Sequence, residues 1–168
     1  MAKVLVLIDT PNISRSVFRK YGECYRADYR KLYQLAASIG RVSHACALVN
    51  DGVSPLFSET LRRIGFEPRP SHAFDCDDAL IAHAVRFHRA IDTLLLCSGD
   101  KHYSRLVEIL KAVGVKVIVC AVDGSCSRRL KSLGNDYIEI PVRDQIQNRC
   151  RPRPQTENHP ATIRNEGN

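Results

Sequence analysis

The sequence predicts an α/β protein: a three-layer α/β/α fold around a central, mostly parallel sheet. Three observations carry that expectation. Apolar runs too short for helices recur along the chain, at residues 4–8, 94–97 and 117–122, as strands buried on both faces do. Between them lie segments with helical spacing, capping residues and glycine stops. Strands that alternate with helices imply right-handed crossovers, and hence a parallel sheet covered on both sides.

The first strand spans residues 3–9 and ends in an acid, Asp9. A short helix carrying Ile13 to Arg19 follows, with Asn12 placed to cap it. Asp28 is placed to cap a helix over 28–39, in which Tyr29, Leu32, Leu35, Ala36 and Ile39 share one face and Gly40 is the stop. Residues 41–49 give a second strand. Ser54-Pro55 pairs an N-cap with proline at the first helical position, and that helix runs to Ile64 before Gly65. A third strand at 66–69 is interrupted by Pro68 and Pro70. Proline cannot donate to a ladder, so this strand belongs on an edge.

A helix over 77–89 leads to a fourth strand, 92–98. The helix over 101–113 turns Tyr103, Leu106, Val107 and Leu110 inward and stops at Gly114. A fifth strand at 115–122, a short helix near 127–133 and a last strand at 137–140 complete a domain ending at Pro141. Residues 142–168 change character. They hold Pro152, Pro154 and Pro160, with Arg149, Arg151, Arg153 and Arg164. This composition predicts a basic, proline-containing flexible tail, either a loose contact for RNA or simply a solubilising segment. The expected sheet order is 3-2-1-4-5, which sets the proline-broken strand on an edge and makes strands 1 and 4 neighbours at the switch point.

Composition narrows the classes of function. A chain of 168 residues predicts one domain, and 44% apolar with 26% charged residues suits a packed core. No apolar run approaches the roughly 20 residues of a membrane span. The N-terminal run is shorter than a secretory signal requires, so the expected location is the cytoplasm. The seven cysteines are odd in number and form no Cys-x-x-Cys pair. They read as reduced, structural thiols. A net charge of +7 favours a polyanionic partner, a solvated basic face being the plainer alternative.

Acids gather at the predicted strand ends. Strand 1 ends at Asp9, strand 4 in Ser98-Gly99-Asp100, and the segment after strand 3 brings Asp75, Asp77 and Asp78 to a helix start. Converging carboxylates repel unless a cation neutralises them, and a hard, oxygen-seeking ion such as Mg²⁺ or Mn²⁺ is the natural occupant. Taken singly, Asp9, Asp77 and Asp100 are equally placed to cap turns and helices. Asn12 would orient a substrate if it is not a cap. Asp75 and Asp78 would support the others.

Three motifs stand in order: Val4-Leu5-Val6-Leu7-Ile8-Asp9-Thr10-Pro11-Asn12, Asp77-Asp78-Ala79-Leu80 and Leu94-Leu95-Leu96-Cys97-Ser98-Gly99-Asp100-Lys101-His102-Tyr103. In this order they resemble the NYN domain, the LabA-like branch of the PIN-like nuclease superfamily. The resemblance continues through Leu106-Val107, Gly114 to Val117, Ser127 to Leu130 and Asn135 to Ile138, and covers about residues 3–141. It implies a Rossmann-like, PIN-type fold and metal-dependent endoribonuclease chemistry. Asp9, Asp77 and Asp100 would hold one Mg²⁺ or Mn²⁺, with Asn12 beside them, and a water activated there would attack the phosphodiester in line. Two positions depart from the pattern. Thr10 stands where the family has glycine, and His102 stands where it has a further acid. Imidazole is a poorer ligand for Mg²⁺ than carboxylate. His102 would instead contact phosphate or move a proton, or else pack or face solvent.

RNA is the expected partner. The basic candidates are Arg15 with Arg19, Lys101 with Arg105, and Arg128, Arg129 and Lys131. The turns at Ser98-Gly99 and Asp123-Gly124-Ser125 would offer N–H groups to phosphate. Tyr103 or Phe74 would stack a base, core packing being the alternative for Tyr103. His44, His72, His83, His88 and His159 show no ligand spacing and read as structural or exposed. The leading expectation is a ribonuclease. The runner-up, favoured by His102, is a catalytically weak or inactive RNA-binding regulatory module. A dinucleotide-binding domain is disfavoured, because the first turn lacks Gly-x-Gly-x-x-Gly. An exposed last strand would allow a homodimer.

Overall fold

Alternation along β1 (Lys3–Asp9) and β5 (Thr93–Cys97) organises the fold, because successive side chains in a strand point to opposite faces. Val4, Val6, Ile8, Leu95 and Cys97 enter one core. Leu5, Leu7, Leu94 and Leu96 enter the other. Every one of these side chains is fully buried, as strands covered on both faces require. The computed structural model describes residues 1–71 and 76–145, with the side chains of residues 71, 76–80 and 83 outside that description.

The remaining strands are β2 (Tyr25–Ala27), β3 (Arg41–Asn50), β4 (Glu67–Ser71), β6 (Lys116–Ala121), β7 (Asp136–Glu139) and β8 (Val142–Asp144). The helices are α1 (Thr10–Tyr21), α2 (Tyr29–Ile39), α3 (Pro55–Ile64), α4 (Cys76–Phe87), α5 (Ser104–Ala112) and α6 (Arg128–Leu133). Six strands form one sheet in the order β4-β3-β1-β5-β6-β7, and every pairing in it is parallel. The expected order holds, with the final strand added beyond the fifth. Side chains of α1, α2 and α3 fill the first core, and those of α4, α5 and α6 the second. Among the described residues no helix is long and apolar enough to cross a membrane.

Several elements depart from expectation for local reasons. The first helix begins at Thr10 rather than after Asn12, because the Asp9 side chain caps it, accepting from the Asn12 N–H at 3.0 Å. β4 continues through both prolines to Ser71, and Pro68 and Pro70 lie opposite Ala47 and Val49. Its edge position makes this possible, since the N–H groups that proline lacks would face away from β3. The expected helix over 101–113 starts as a 3₁₀ turn, Lys101–Tyr103, before α5.

β2 and β8 were not foreseen. They pair antiparallel in a sheet of their own. Asp28 N–H donates to Pro141 O at 2.7 Å and Gln145 N–H to Cys24 O at 2.8 Å, closing both ends of this ribbon. The ordered fold therefore runs past Pro141, where the domain was expected to end. The tail from residue 146 onward lies outside the described residues.

Candidate functional site

The carboxyl ends of β1 and β5 are adjacent, since Ile8 and Cys97 are paired in register. The next residues on each chain, Asp9 and Ser98, are therefore neighbours by construction. Asp9 is only 5% exposed. Its Oδ1 accepts from the Asn12 N–H, and its Oδ2 lies 3.3 Å from the Ser98 hydroxyl and 3.4 Å from the Tyr103 hydroxyl, both placed to donate. Ser98 is fully buried and works in two directions: its Oγ also accepts from the Asp100 N–H at 3.2 Å. One hydroxyl thus links the Asp9 carboxylate to the backbone of Asp100.

Asn12 does not cap α1. It lies within the first turn, and its Oδ1 accepts from the Gly99 N–H at 3.0 Å, tying α1 to the loop after β5. That bond orients the carboxamide, with its nitrogen directed away from Gly99. Gly99 is required sterically. A Cβ there would lie 2.7 Å from Ser125 O, in the turn after β6. Gly99 O in turn accepts from Ser127 N–H, which brings the start of α6 and Arg128 beside this loop.

Asp100 caps the 3₁₀ turn. Its Oδ1 accepts from the His102 N–H at 3.0 Å, and the His102 Nδ1 lies 3.1 Å from the same oxygen. The ring of His102 is therefore anchored to Asp100, which the local sequence did not suggest. Tyr103 is fully buried, so it belongs to the core and does not stack a base. Phe74, the other stacking candidate, lies outside the described residues. Thr10 stands where the resemblance led to glycine. It is accommodated because its buried hydroxyl donates to Leu48 O at the end of β3.

The third acid, Asp77, is in the first turn of α4, which packs against β1 and the Lys101–Tyr103 turn. Its side chain lies outside the described residues, as do those of Asp75 and Asp78. Among the described residues no group of three or more metal-ligating side chains forms. The donor chemistry of the part that is described suits a hard cation, since Asp9 and Asp100, carried on the adjacent ends of β1 and β5, both offer carboxylate oxygens. Of the turn N–H groups expected to meet phosphate, that of Gly99 is engaged by Asn12 and that of Ser125 by Val122 O.

The basic candidates divide into two sets. Arg129 pairs with Glu108 at 2.9 Å, and Lys131 with Asp123 at 3.7 Å. Arg15, Arg19, Lys101, Arg105 and Arg128 are exposed and make no ion pair among the described residues. Their charge is available to a ligand. Sequence reasoning missed Phe18, an exposed aromatic between Arg15 and Arg19; the spacing Arg-x-x-Phe-Arg on a polar helix face was its signal. An open groove of about 640 Å³, lined by Tyr33, His44, Arg62, Phe66 and Glu67 among others, lies at the opposite end of the sheet beside the start of β4. There His44 Nε2 is 3.1 Å from Glu67, and its ring stacks on Phe87, a structural arrangement as expected.

Comparisons with known proteins agree with this architecture. The family model described as NYN domain matches residues 3–141. The low amplitude and bright protein LabA of Synechococcus elongatus is 33% identical over 64 residues, which are 38% of this chain and 34% of that protein. The match thus spans about a third of the curated relative's length. A crystal structure of a protein of unknown function from Vibrio parahaemolyticus superposes with a TM-score of 0.77 at 25% identity, covering 83% of this chain and 93% of that one.

Proposed function

Because the chain belongs to the NYN domain family, we propose that it is a divalent-metal-dependent endoribonuclease that hydrolyses RNA phosphodiester bonds in the crevice between β1 and β5. The family's place among PIN-like nucleases supports an RNA substrate. The single observation that supports the reading is the buried Ser98 hydroxyl, which links the Asp9 carboxylate to the backbone N–H of Asp100 and so ties the ends of β1 and β5 together where both acids are carried.

Asp9, Asp77 and Asp100 would hold Mg²⁺ or Mn²⁺. The bound ion supplies activation of water and neutralisation of charge on the phosphate under attack. The protein's own groups do the rest. Ser98 and Tyr103 orient the Asp9 carboxylate from beneath. Asn12, with its oxygen occupied by Gly99, directs its amide nitrogen as a donor to a phosphate oxygen. Lys101, Arg15 and Arg128 attract and position the RNA backbone, an electrostatic role suited to exposed cations. Ser98, buried beneath the acids, takes part as a positioning residue rather than by contact with substrate.

His102 supports a second reading, an RNA-binding regulatory module with little turnover. Its ring and its N–H both occupy Asp100 Oδ1, an oxygen a cation would otherwise use. One experiment separates the two: incubation of the purified chain and an Asp100→Asn variant with labelled RNA and Mn²⁺ or Mg²⁺. Metal-dependent cleavage that the variant loses by at least about a hundredfold, as expected when a charge-stabilising group is removed, supports the enzyme. Binding without cleavage by either protein supports the module. Among the described residues β7 pairs only with β6, so its outer edge is where a homodimer would form, which sedimentation of the full chain reads.

A further inference from the structure

The proposed chemistry occupies only the first turn of α1 and Arg15. The helix buries Thr10, Ile13, Ser16 and Val17 and turns Arg15, Phe18 and Arg19 outward. Phe18 is 52% exposed, the one aromatic among the large apolar side chains exposed in the described residues. A single exposed apolar side chain is ordinary; Phe18 is distinguished by its neighbours. At 3.6 residues per turn, Asn12, Arg19 and Arg15 fall within an arc of about 60°, and Phe18 follows about 60° beyond Arg15. At 1.5 Å per residue Phe18 sits about 9 Å along the axis from Asn12. The stripe is therefore continuous with the candidate crevice, where Asn12 holds Gly99. Its two arginines make no ion pair among the described residues, whereas Lys20 on the same helix is paired with Glu139 at 3.0 Å.

We propose that this stripe is a binding subsite for single-stranded RNA, in which one unpaired base stacks on the Phe18 ring while Arg15 and Arg19 hold the flanking phosphates. The inference rests on the nuclease reading of the crevice and adds the place on α1 where an unpaired stretch of the strand is held. A duplex base is already stacked on its neighbours and offers no face to an aromatic ring. Stacking accepts any base, so the subsite fixes the path of the strand rather than its sequence. The guanidinium groups supply the charge and the planar donors that phosphate oxygens require. The net charge of +7 is of the sign a polyanion needs.

The test uses the full chain, a labelled uridine-rich single-stranded oligoribonucleotide, and a chelator, so that affinity is read apart from cleavage. Phe18→Ala should lower affinity roughly 5- to 150-fold, the range for loss of one stacked base, and Phe18→Trp should restore it. Affinity for duplex RNA should not change in Phe18→Ala. The Arg15→Gln, Arg19→Gln double variant should flatten the slope of log affinity against log salt by about 1.4, at about 0.7 per single-strand phosphate contact. Because Phe18 is exposed, Phe18→Ala should melt with the wild type. If Phe18→Ala binds the single strand as tightly as wild type, the inference is overturned. The nuclease reading then survives if metal-dependent cleavage persists, and the patch is left to a protein partner. A wild-type chain that neither binds nor cleaves RNA overturns both.

Discussion

At the scale of single residues, the candidate site depends on one small hydroxyl. Ser98 is fully buried, donates to Asp9 and accepts from Asp100 N–H. Ser98→Ala should remove the first bond and leave the second donor without its acceptor. We expect a loss of about 1–2 kcal/mol in urea unfolding, the cost of an unmade buried hydrogen bond, together with weaker binding of Mn²⁺ by calorimetry. Unchanged stability and unchanged metal affinity would remove Ser98 from the site. The same residues mark how far the sequence was legible. It named Asp9, Asn12 and Asp100, and it set the cap against the site as alternatives for Asp9. The fold reconciles them, because one carboxylate oxygen caps α1 while the other meets Ser98 and Tyr103. The anchoring of His102 to Asp100 was not legible, since a ring's direction depends on the turn that carries it.

At the scale of elements, periodicity and punctuation were sufficient wherever an element buries its own apolar stripe. Asp28 caps α2, accepting from Lys31 N–H at 3.0 Å, and Gly65 ends α3 at a φ of 117° that favours glycine. β2 and β8 escaped because three residues are too few for a hydrophobic pattern. Their pairing is a long-range event between the chain's early and late segments. A chain ending at Pro141 should therefore melt lower than one ending at Gln145, because the β2–β8 ribbon and the Gln145–Cys24 bond are lost. The expected difference is roughly 3–8 °C by circular dichroism, from about 2–4 °C per kcal/mol for a domain of this size. Equal melting temperatures would show that β8 adds nothing to the fold.

At the scale of the whole molecule, two cores sandwich one sheet, and burial shapes the chemistry of the thiols and phenols within them. Cys97 and Cys120 are fully buried and paired in register on β5 and β6. Burial pushes the Cys97 thiol well above its ordinary range, Cys46 up to about 11, and Tyr29 up to about 12. Each such group keeps its proton longer in the folded chain than in the unfolded one. Stability from these groups is fully present below about pH 9, the ordinary thiol value, and falls as pH rises through the folded values. Urea midpoints should decline above about pH 9, and less steeply in a Cys46→Ala, Cys97→Ala variant once each curve is referred to its own value at neutral pH. A midpoint that stays flat to pH 11 would contradict the burial of these thiols.

The sequence by itself determined the class of fold, the strand order of the main sheet and the edge position of β4. Those follow from local rules, namely apolar runs, caps, glycine stops and the inability of proline to donate. Only the tertiary structure decided which polar groups meet at the end of the sheet. It made Ser98 a bridge and Tyr103 a buried support, directed Asn12 to Gly99, and exposed Phe18 beside two arginines that make no ion pair among the described residues. The reason is physical. An element's identity rests on neighbours a few residues away, whereas a hydrogen bond between α1 and the loop after β5 requires the crossovers and the strand register that bring distant segments together.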